Sequence, residues 1–206
     1  MLLAGKIAVI TGCNRGIGKA ILEKFSENGA NIFACVRKID DDFLSLIKKI
    51  QKENNNEIFP IELDLSNKEN VKEAGKKILS YVKDIDILIN NAGSISTSLF
   101  QMTSVDKYKE LFEINFYSQI LFTQTILKSM MKTKRGNIVF ISSSSGIDGN
   151  EGRSAYVSSK AAIIAQSKVL SRELGRYNIK VNTVAPGLTN TDMLKKNTPV
   201  KKINEV

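Results

Sequence analysis

The 206-residue sequence has no histidine, no tryptophan, two cysteines and three prolines. Without histidine, the Ser–His, Cys–His and His–metal mechanisms are excluded together. Cys13 and Cys35 are too few for a cysteine-rich zinc or iron–sulfur site, so no metal site is expected. No apolar run approaches the roughly 20 residues of a membrane helix. The opening MLLAGKIAVITG lacks the basic n-region and the cleavage site of a signal peptide. These absences lead to the expectation of a cytoplasmic protein with reduced thiols and no membrane association. The net charge of +9 raises the question of nucleic acid. The lysines, however, are dispersed among glutamates (Lys48, Lys49, Lys52, Lys68, Lys72, Lys76, Lys77), and aromatics for base stacking are not interleaved with them. No nucleic-acid partner is expected.

What is present is an alternation. Short β-branched runs lie at 6–11, 31–36, 57–63, 86–90, 137–142 and 179–184. They are apolar on both faces, as buried parallel strands require. Stretches of helical spacing separate them, marked first by Ile17, Ala20, Ile21, Leu22 and Phe25, and ending with two long ones at about 104–131 and 154–177. Repeated strand–helix alternation predicts an α/β protein with a doubly wound parallel sheet of six strands. Pro60 marks the third run as an edge strand. There is no repeat, linker or low-complexity segment, so one domain is expected. Gly29 is expected to end the first helix, Ser66 with Glu69 to form a capping box on the third, and Arg135-Gly136 to break the fourth.

The first strand runs directly into Gly12-Cys13-Asn14-Arg15-Gly16-Ile17-Gly18. Glycines here let the chain turn tightly and let a diphosphate approach the backbone, while the helix N-terminus presents N–H groups to it. An acid at the end of the second strand would bind a ribose hydroxyl and favour NAD. The sequence instead reads Val36-Arg37-Lys38, with Arg15 in the neighbouring turn. Guanidinium suits a 2′-phosphate, which favours NADP(H), although Arg37 and Lys38 could also simply begin a solvated helix.

Tyr156 and Lys160 stand four apart near a helix start, so they share a face. An amine beside a phenol is expected to lower the phenol's pKa and make it a usable acid or base. On its own this pair is common on helix surfaces, but its context is not. Ser142-Ser143-Ser144-Ser145-Gly146 ends the fifth strand, and Asn90-Asn91-Ala92-Gly93 follows the fourth. Asn115 lies mid-helix, where asparagine needs a reason. Asp64 follows the third strand, as an adenine acceptor or as a turn residue. Pro186-Gly187, Thr189 and Thr191 follow the sixth. All fall after strand C-termini, where open α/β sheets bind ligands.

TGCNRGIG (11–18), Asp64-Leu65, NNAG (90–93), Ile114-Asn115, SSSSG (142–146), YVSSK (156–160) and VNTVAPG (181–187) resemble, in order and spacing, the motifs of the short-chain dehydrogenase/reductase family. The resemblance covers residues 3 to about 193 and implies a Rossmann-like fold. It implies Tyr156 as proton donor to a carbonyl, with Lys160 lowering its pKa and holding the nicotinamide ribose. Ser143, thirteen residues before Tyr156, would bind the carbonyl oxygen, with Ser142 and Ser144 as alternatives. Asn115 would hold a relay water. Gly12, Asn14, Arg15, Gly16, Ile17, Gly18, Arg37, Asp64, Leu65, Asn91, Ala92, Gly93, Tyr156, Lys160, Pro186, Gly187, Thr189 and Thr191 would form the NADP(H) site. Within the family, 128–143 and 156–193 are most similar to the bacterial 3-oxoacyl-(acyl-carrier-protein) reductases. Lys132, Lys134, Arg135, Arg172 and Arg176 would then face an acidic acyl carrier protein. Reduction of another ketone or a sugar remains open.

Family members usually continue with a lid, a further helix and a seventh strand, which this chain is expected to lack. Residues 1–193 are therefore expected to form the cofactor-binding domain, and 194–206 a poorly ordered polar tail. The sixth strand would be an edge, and a homodimer would form through helices 104–131 and 154–177. Two classes stay open: an active NADP-dependent carbonyl reductase, and a truncated, non-catalytic cofactor-binding protein.

Overall fold

A computed structural model describes residues 1–192 and 194 of the chain. Fifteen residues, most of them β-branched or small and apolar, form three strands buried along most of their length: β1 (Ile7–Thr11), β2 (Asn31–Val36) and β4 (Ile87–Asn90). With β3 (Ile58–Glu62), β5 (Gly136–Ile141) and β6 (Ile179–Val184) they make one parallel sheet in the order β3-β2-β1-β4-β5-β6. The doubly wound single domain expected from the alternation is borne out. Pro60 does lie on an edge strand, where its missing N–H breaks no central ladder.

Side chains alternate across the sheet. Val9 packs into the core on one face, with Val71 and Ile78, Phe122 and Ile126, and Ile163. Ala8 and Ile10 pack on the other face, with Leu22, Phe43, Ile47 and Ile50. Helices α3 (Lys68–Tyr81), α5 (Ser118–Thr133) and α7 (Ser154–Leu174) cover the first face, and α1 (Gly16–Glu27) and α2 (Asp41–Asn54) the second. Each large side chain fully buried this way contributes about 1.5–3 kcal/mol. Winding reverses between β1 and β4, which opens a crevice at their C-terminal ends. At the opposite edge Asp86 accepts from the Ile7 N–H at 3.0 Å and Lys6 Nζ at 3.2 Å, and faces Arg135 Nε at 3.4 Å.

Several local expectations are corrected. The long helix at 104–131 is three pieces: α4 (Val105–Phe112), a π-helical turn (Glu113–Tyr117) and α5. Asn67, not Ser66, caps α3, accepting from the Glu69 and Asn70 N–H groups; Ser66 is held by Asp64 instead. The first helix ends on Asn28, and Gly29 (φ +86°) follows in the left-handed region. Arg37 and Lys38 precede α2, whose cap is Asp40. A short helix α6 (Ser145–Asp148) grows out of the serine run without any signal of periodicity. Apart from Leu194, the polar tail lies outside the described residues.

Candidate active site

The glycine turn after β1 explains its own composition. Gly12 has φ +69°, and a Cβ there would lie 2.8 Å from Ala92 Cα. A Cβ on Gly18 would collide with the Gly12 carbonyl oxygen and the Asn91 amide. That amide donates to the Thr11 and Gly12 carbonyl oxygens at 2.9 and 3.0 Å, which joins the turn to the loop after β4. Thr11 Oγ1 accepts from both the Asn91 and Ala92 N–H groups at 3.0 Å. Thr11 was not singled out from sequence; its place as last residue of the strand was the available signal. Helix α1 opens here with no side-chain cap and no acid in its first turn, so its free N–H groups and dipole face the crevice. A backbone cradle that any Cβ would fill, beneath an uncapped helix end, fits a dinucleotide diphosphate.

Every residue assigned above to the cofactor lines a single cavity of about 490 Å³, together with Ser143. Arg15, Arg37, Tyr156 and Lys160 all line it. Lys38 does not line it. Thr191 approaches the turn from the far side, since a Cβ on Gly16 would meet its Cγ2 at 3.3 Å. Asp64 lines the cavity, yet its Oδ1 accepts from the Ser66 N–H at 2.9 Å and hydroxyl at 2.7 Å, the turn role that was the alternative for it.

The three serines after β5 separate. Ser142 is buried and donates to the Lys160 carbonyl oxygen at 2.8 Å, so it braces α7. Ser144 donates its N–H to the Pro186 carbonyl oxygen. Ser143 Oγ lies 2.7 Å from Ser145 Oγ and hydrogen-bonds toward the Tyr156 phenol. The geometry thus singles out Ser143 and adds Ser145, which sequence reasoning missed.

Tyr156 and Lys160 are nearly buried, and Lys160 Nζ lies 5.9 Å from the Tyr156 ring centroid. Nζ donates to the Ile141 carbonyl oxygen at 2.8 Å. Burial pushes the Lys160 ammonium down to about 8. Burial raises the Tyr156 phenol above its ordinary value, opposed by the Ser143 hydrogen bond and the Arg153 charge. The expected net lowering of the phenol is therefore not found: burial outweighs the groups that favour the phenolate, and the lysine is held on the strand carbonyl.

Asn115 does not line the cavity but stands behind it, fully buried in the π-helical turn. Its Oδ1 accepts from the Ser94 N–H at 2.7 Å, and its Nδ2 donates to the Ser94 carbonyl oxygen at 2.8 Å and Ser159 Oγ at 3.0 Å. The reason for an asparagine in mid-helix is this clamp. Ser159 passes the link on by donating to the Tyr156 carbonyl oxygen at 2.7 Å. Both Nδ2 donors of Asn115 are used within this clamp. Gly93 fits between the two halves: a Cβ there would lie 3.0 Å from Asn115 Oδ1 and 3.4 Å from Lys160 Nζ.

A phenol, a serine hydroxyl and a lysine gathered beside a dinucleotide cradle are equipped to move a proton while a bound cofactor handles electrons. The family model of the short chain dehydrogenases matches residues 6–202. The chain belongs to this family. It is 36% identical over 191 residues to 3-oxoacyl-[acyl-carrier-protein] reductase FabG of Aquifex aeolicus, spanning 93% of this chain and 77% of that one. It is 34% identical to the enzyme of that name from Thermotoga maritima, spanning 95% and 79%. Among solved structures it superposes with a TM-score of 0.89, at 26% identity, on a protein assigned as an NAD(P) dependent gluconate 5-dehydrogenase from Beutenbergia cavernae, crystallised with NADP at low occupancy; 98% of this chain and 79% of that one are covered. This short-chain dehydrogenase is an oxidoreductase using a nicotinamide cofactor. No helix among the described residues is long and apolar enough to cross a membrane.

Proposed function

We propose that this short-chain dehydrogenase is an NADPH-dependent reductase of 3-oxoacyl thioesters. The observation that carries the reading is the convergence of Ser143, Tyr156 and Lys160 on the same cavity as the glycine turn. A nicotinamide cofactor held in this cavity would supply the hydride for reduction of a carbonyl. Ser143 positions the carbonyl oxygen, and Tyr156 gives it a proton. Lys160, drawn to the Ile141 carbonyl, is placed to hold the nicotinamide ribose and to refill the phenol's proton. Asn115 keeps the loop after β4 against α7, so that the two halves of the site stay in register.

Arg37 and Arg15 line the cavity, and Asp40, the nearest acid after β2, is occupied in capping α2. That pattern supports NADP(H) over NAD through charge-assisted contacts to a 2′-phosphate. The thioester reading rests on the two 3-oxoacyl reductases above. An acidic acyl carrier protein would meet the basic surface of Lys132, Lys134, Arg135, Arg172 and Arg176. A homodimer would pack helices 104–131 and 154–177 of two copies, with half-exposed Tyr117 and Val169 in the contact. Two buried free thiols suit a reducing, cytoplasmic setting.

The test is oxidation of NADPH, against NADH, by the purified chain with a short 3-oxoacyl thioester. NADPH turnover should exceed NADH turnover by tenfold or more. Tyr156→Phe should cut kcat by about 10²–10⁴-fold while NADPH still raises the melting temperature. Equal rates with Tyr156→Phe would end the catalytic assignment.

A further inference from the structure

The serine run after β5 leaves one hydroxyl without an explanation. Ser142 braces α7, Ser144 is tied through its N–H to the Pro186 carbonyl oxygen, and Ser143 faces the cavity. Ser145 opens α6, is buried and also lines the cavity. An alanine would suit a helix better and would not bury a hydroxyl. The local turn needs only the Ser145 N–H, which reaches Ser143 Oγ at 3.3 Å and which an alanine would keep. The Ser145 side chain makes a second contact with the same atom: its Oγ lies 2.7 Å from Ser143 Oγ.

A serine hydroxyl has one proton to give and two lone pairs to fill. Either member of the Ser143–Ser145 pair is able to donate to the other. If Ser143 gave its proton to Ser145, it would turn only lone pairs to the cavity, and a carbonyl oxygen arriving there would be repelled. If Ser145 donates, its N–H and O–H fill both lone pairs of Ser143 Oγ, and the Ser143 proton is left to point into the cavity. We propose that Ser145 is a positioning residue that makes the Ser143 hydroxyl an obligate donor to the substrate's carbonyl oxygen. The proposal rests on the reading of Ser143 as the residue that holds that oxygen. The backbone keeps Ser145 in place for this role. The Gly146 N–H donates to the Ser143 carbonyl oxygen and the Gly149 N–H to the Ser145 carbonyl oxygen, both at 2.9 Å. Gly146 lets α6 lie directly on α7, since a Cβ there would be 3.1 Å from both the Ala161 nitrogen and the Lys160 carbonyl carbon. A donor fixed before the substrate arrives needs no reorientation as charge grows on the oxygen being reduced.

Two measurements test this. With a short 3-oxoacyl thioester, Ser145→Ala should lower kcat about two- to tenfold, the effect of one hydrogen bond, and change KM little. Placed on Ser143→Ala, the same substitution should alter kcat by less than about twofold. Equal losses in the two backgrounds would overturn the proposal, because a merely structural role for Ser145 does not depend on the Ser143 hydroxyl. The second measurement is neutron diffraction from crystals of the deuterated full chain. Deuterium on Ser145 Oγ, along the line to Ser143 Oγ, is the expected result. The Ser143 deuterium on that line would overturn the proposal even if the thioester is turned over. This readout needs neither substrate nor substitution, so it decides the role of Ser145 whether or not the thioester reading stands and whether or not Ser145→Ala folds.

Discussion

The two edges of the sheet are built on opposite plans. At the N-terminal edge opposite charges are drawn together: Asp86 holds Lys6, Arg135 and the Ile7 N–H, and Arg135 also faces Asp84 at 3.7 Å. At the C-terminal edge the cavity gathers Arg15, Arg37, Arg153 and Lys160 with two acids, Asp64 and Asp192, of which Asp64 is turned onto Ser66. The first edge ties strands together and is closed. The second leaves positive charge, helix N-termini and hydroxyls facing a cavity, an arrangement that folding alone would not favour and that an anionic cofactor and a developing oxyanion complete. Stability and chemistry are thus separated along the strand direction.

That separation is open to direct attack. The largest effect is expected from Gly18→Ala at the cavity edge. The added Cβ meets backbone at Gly12 that cannot yield, the Gly12 carbonyl carbon being only 2.8 Å away. The cradle must distort, at about 1–3 kcal/mol, and the rise in melting temperature produced by NADPH should vanish. A variant that kept its NADPH-induced shift would place the diphosphate elsewhere.

At the closed edge, Asp86→Asn should cost about 1–3 kcal/mol in urea unfolding by weakening the hold on Lys6, Arg135 and Ile7. Turnover per folded molecule should be unchanged. A loss of kcat with no loss of stability would contradict the division of labour between the edges.

A third contrast is a matter of pH. Lys160 has a folded-state pKa of about 8 against 10.5 in the unfolded chain. The unfolded state therefore binds more protons between those values, and the stability this group contributes rises with pH across that window and is lost as pH falls through 8. Lys160→Met has no such term. The stability of the original chain relative to Lys160→Met should climb from pH 8 toward 10.5, measured as the difference between their denaturation midpoints. A pH-independent difference would show the ammonium to be better solvated than its burial implies.

Much of this was legible because glycine spacing, strand hydrophobicity and loop position carry geometric demands that a sequence displays. The switch point between β1 and β4, the cradle and the Tyr156–Lys160 face are of this kind. The role of Asn115 was half legible. Its poor fit to a helix was visible, but the π-helical turn and the clamp on Ser94 and Ser159 depend on elements 21 and 44 residues away. Ser66 was misread as a cap because two acceptors, Ser66 and Asn67, stand side by side at the start of α3 and only backbone geometry chooses between them.

The sequence by itself determined the winding, the cofactor cradle and the set of groups able to move a proton, since local pattern and chain order suffice for these. Only the tertiary structure decided how those groups are charged. The pairing of Lys160 with a strand carbonyl and the turning of Ser143 rather than Ser142 toward the phenol are set by burial and by distances across elements. Electrostatic free energy depends on exactly those quantities and on nothing that residue order alone contains.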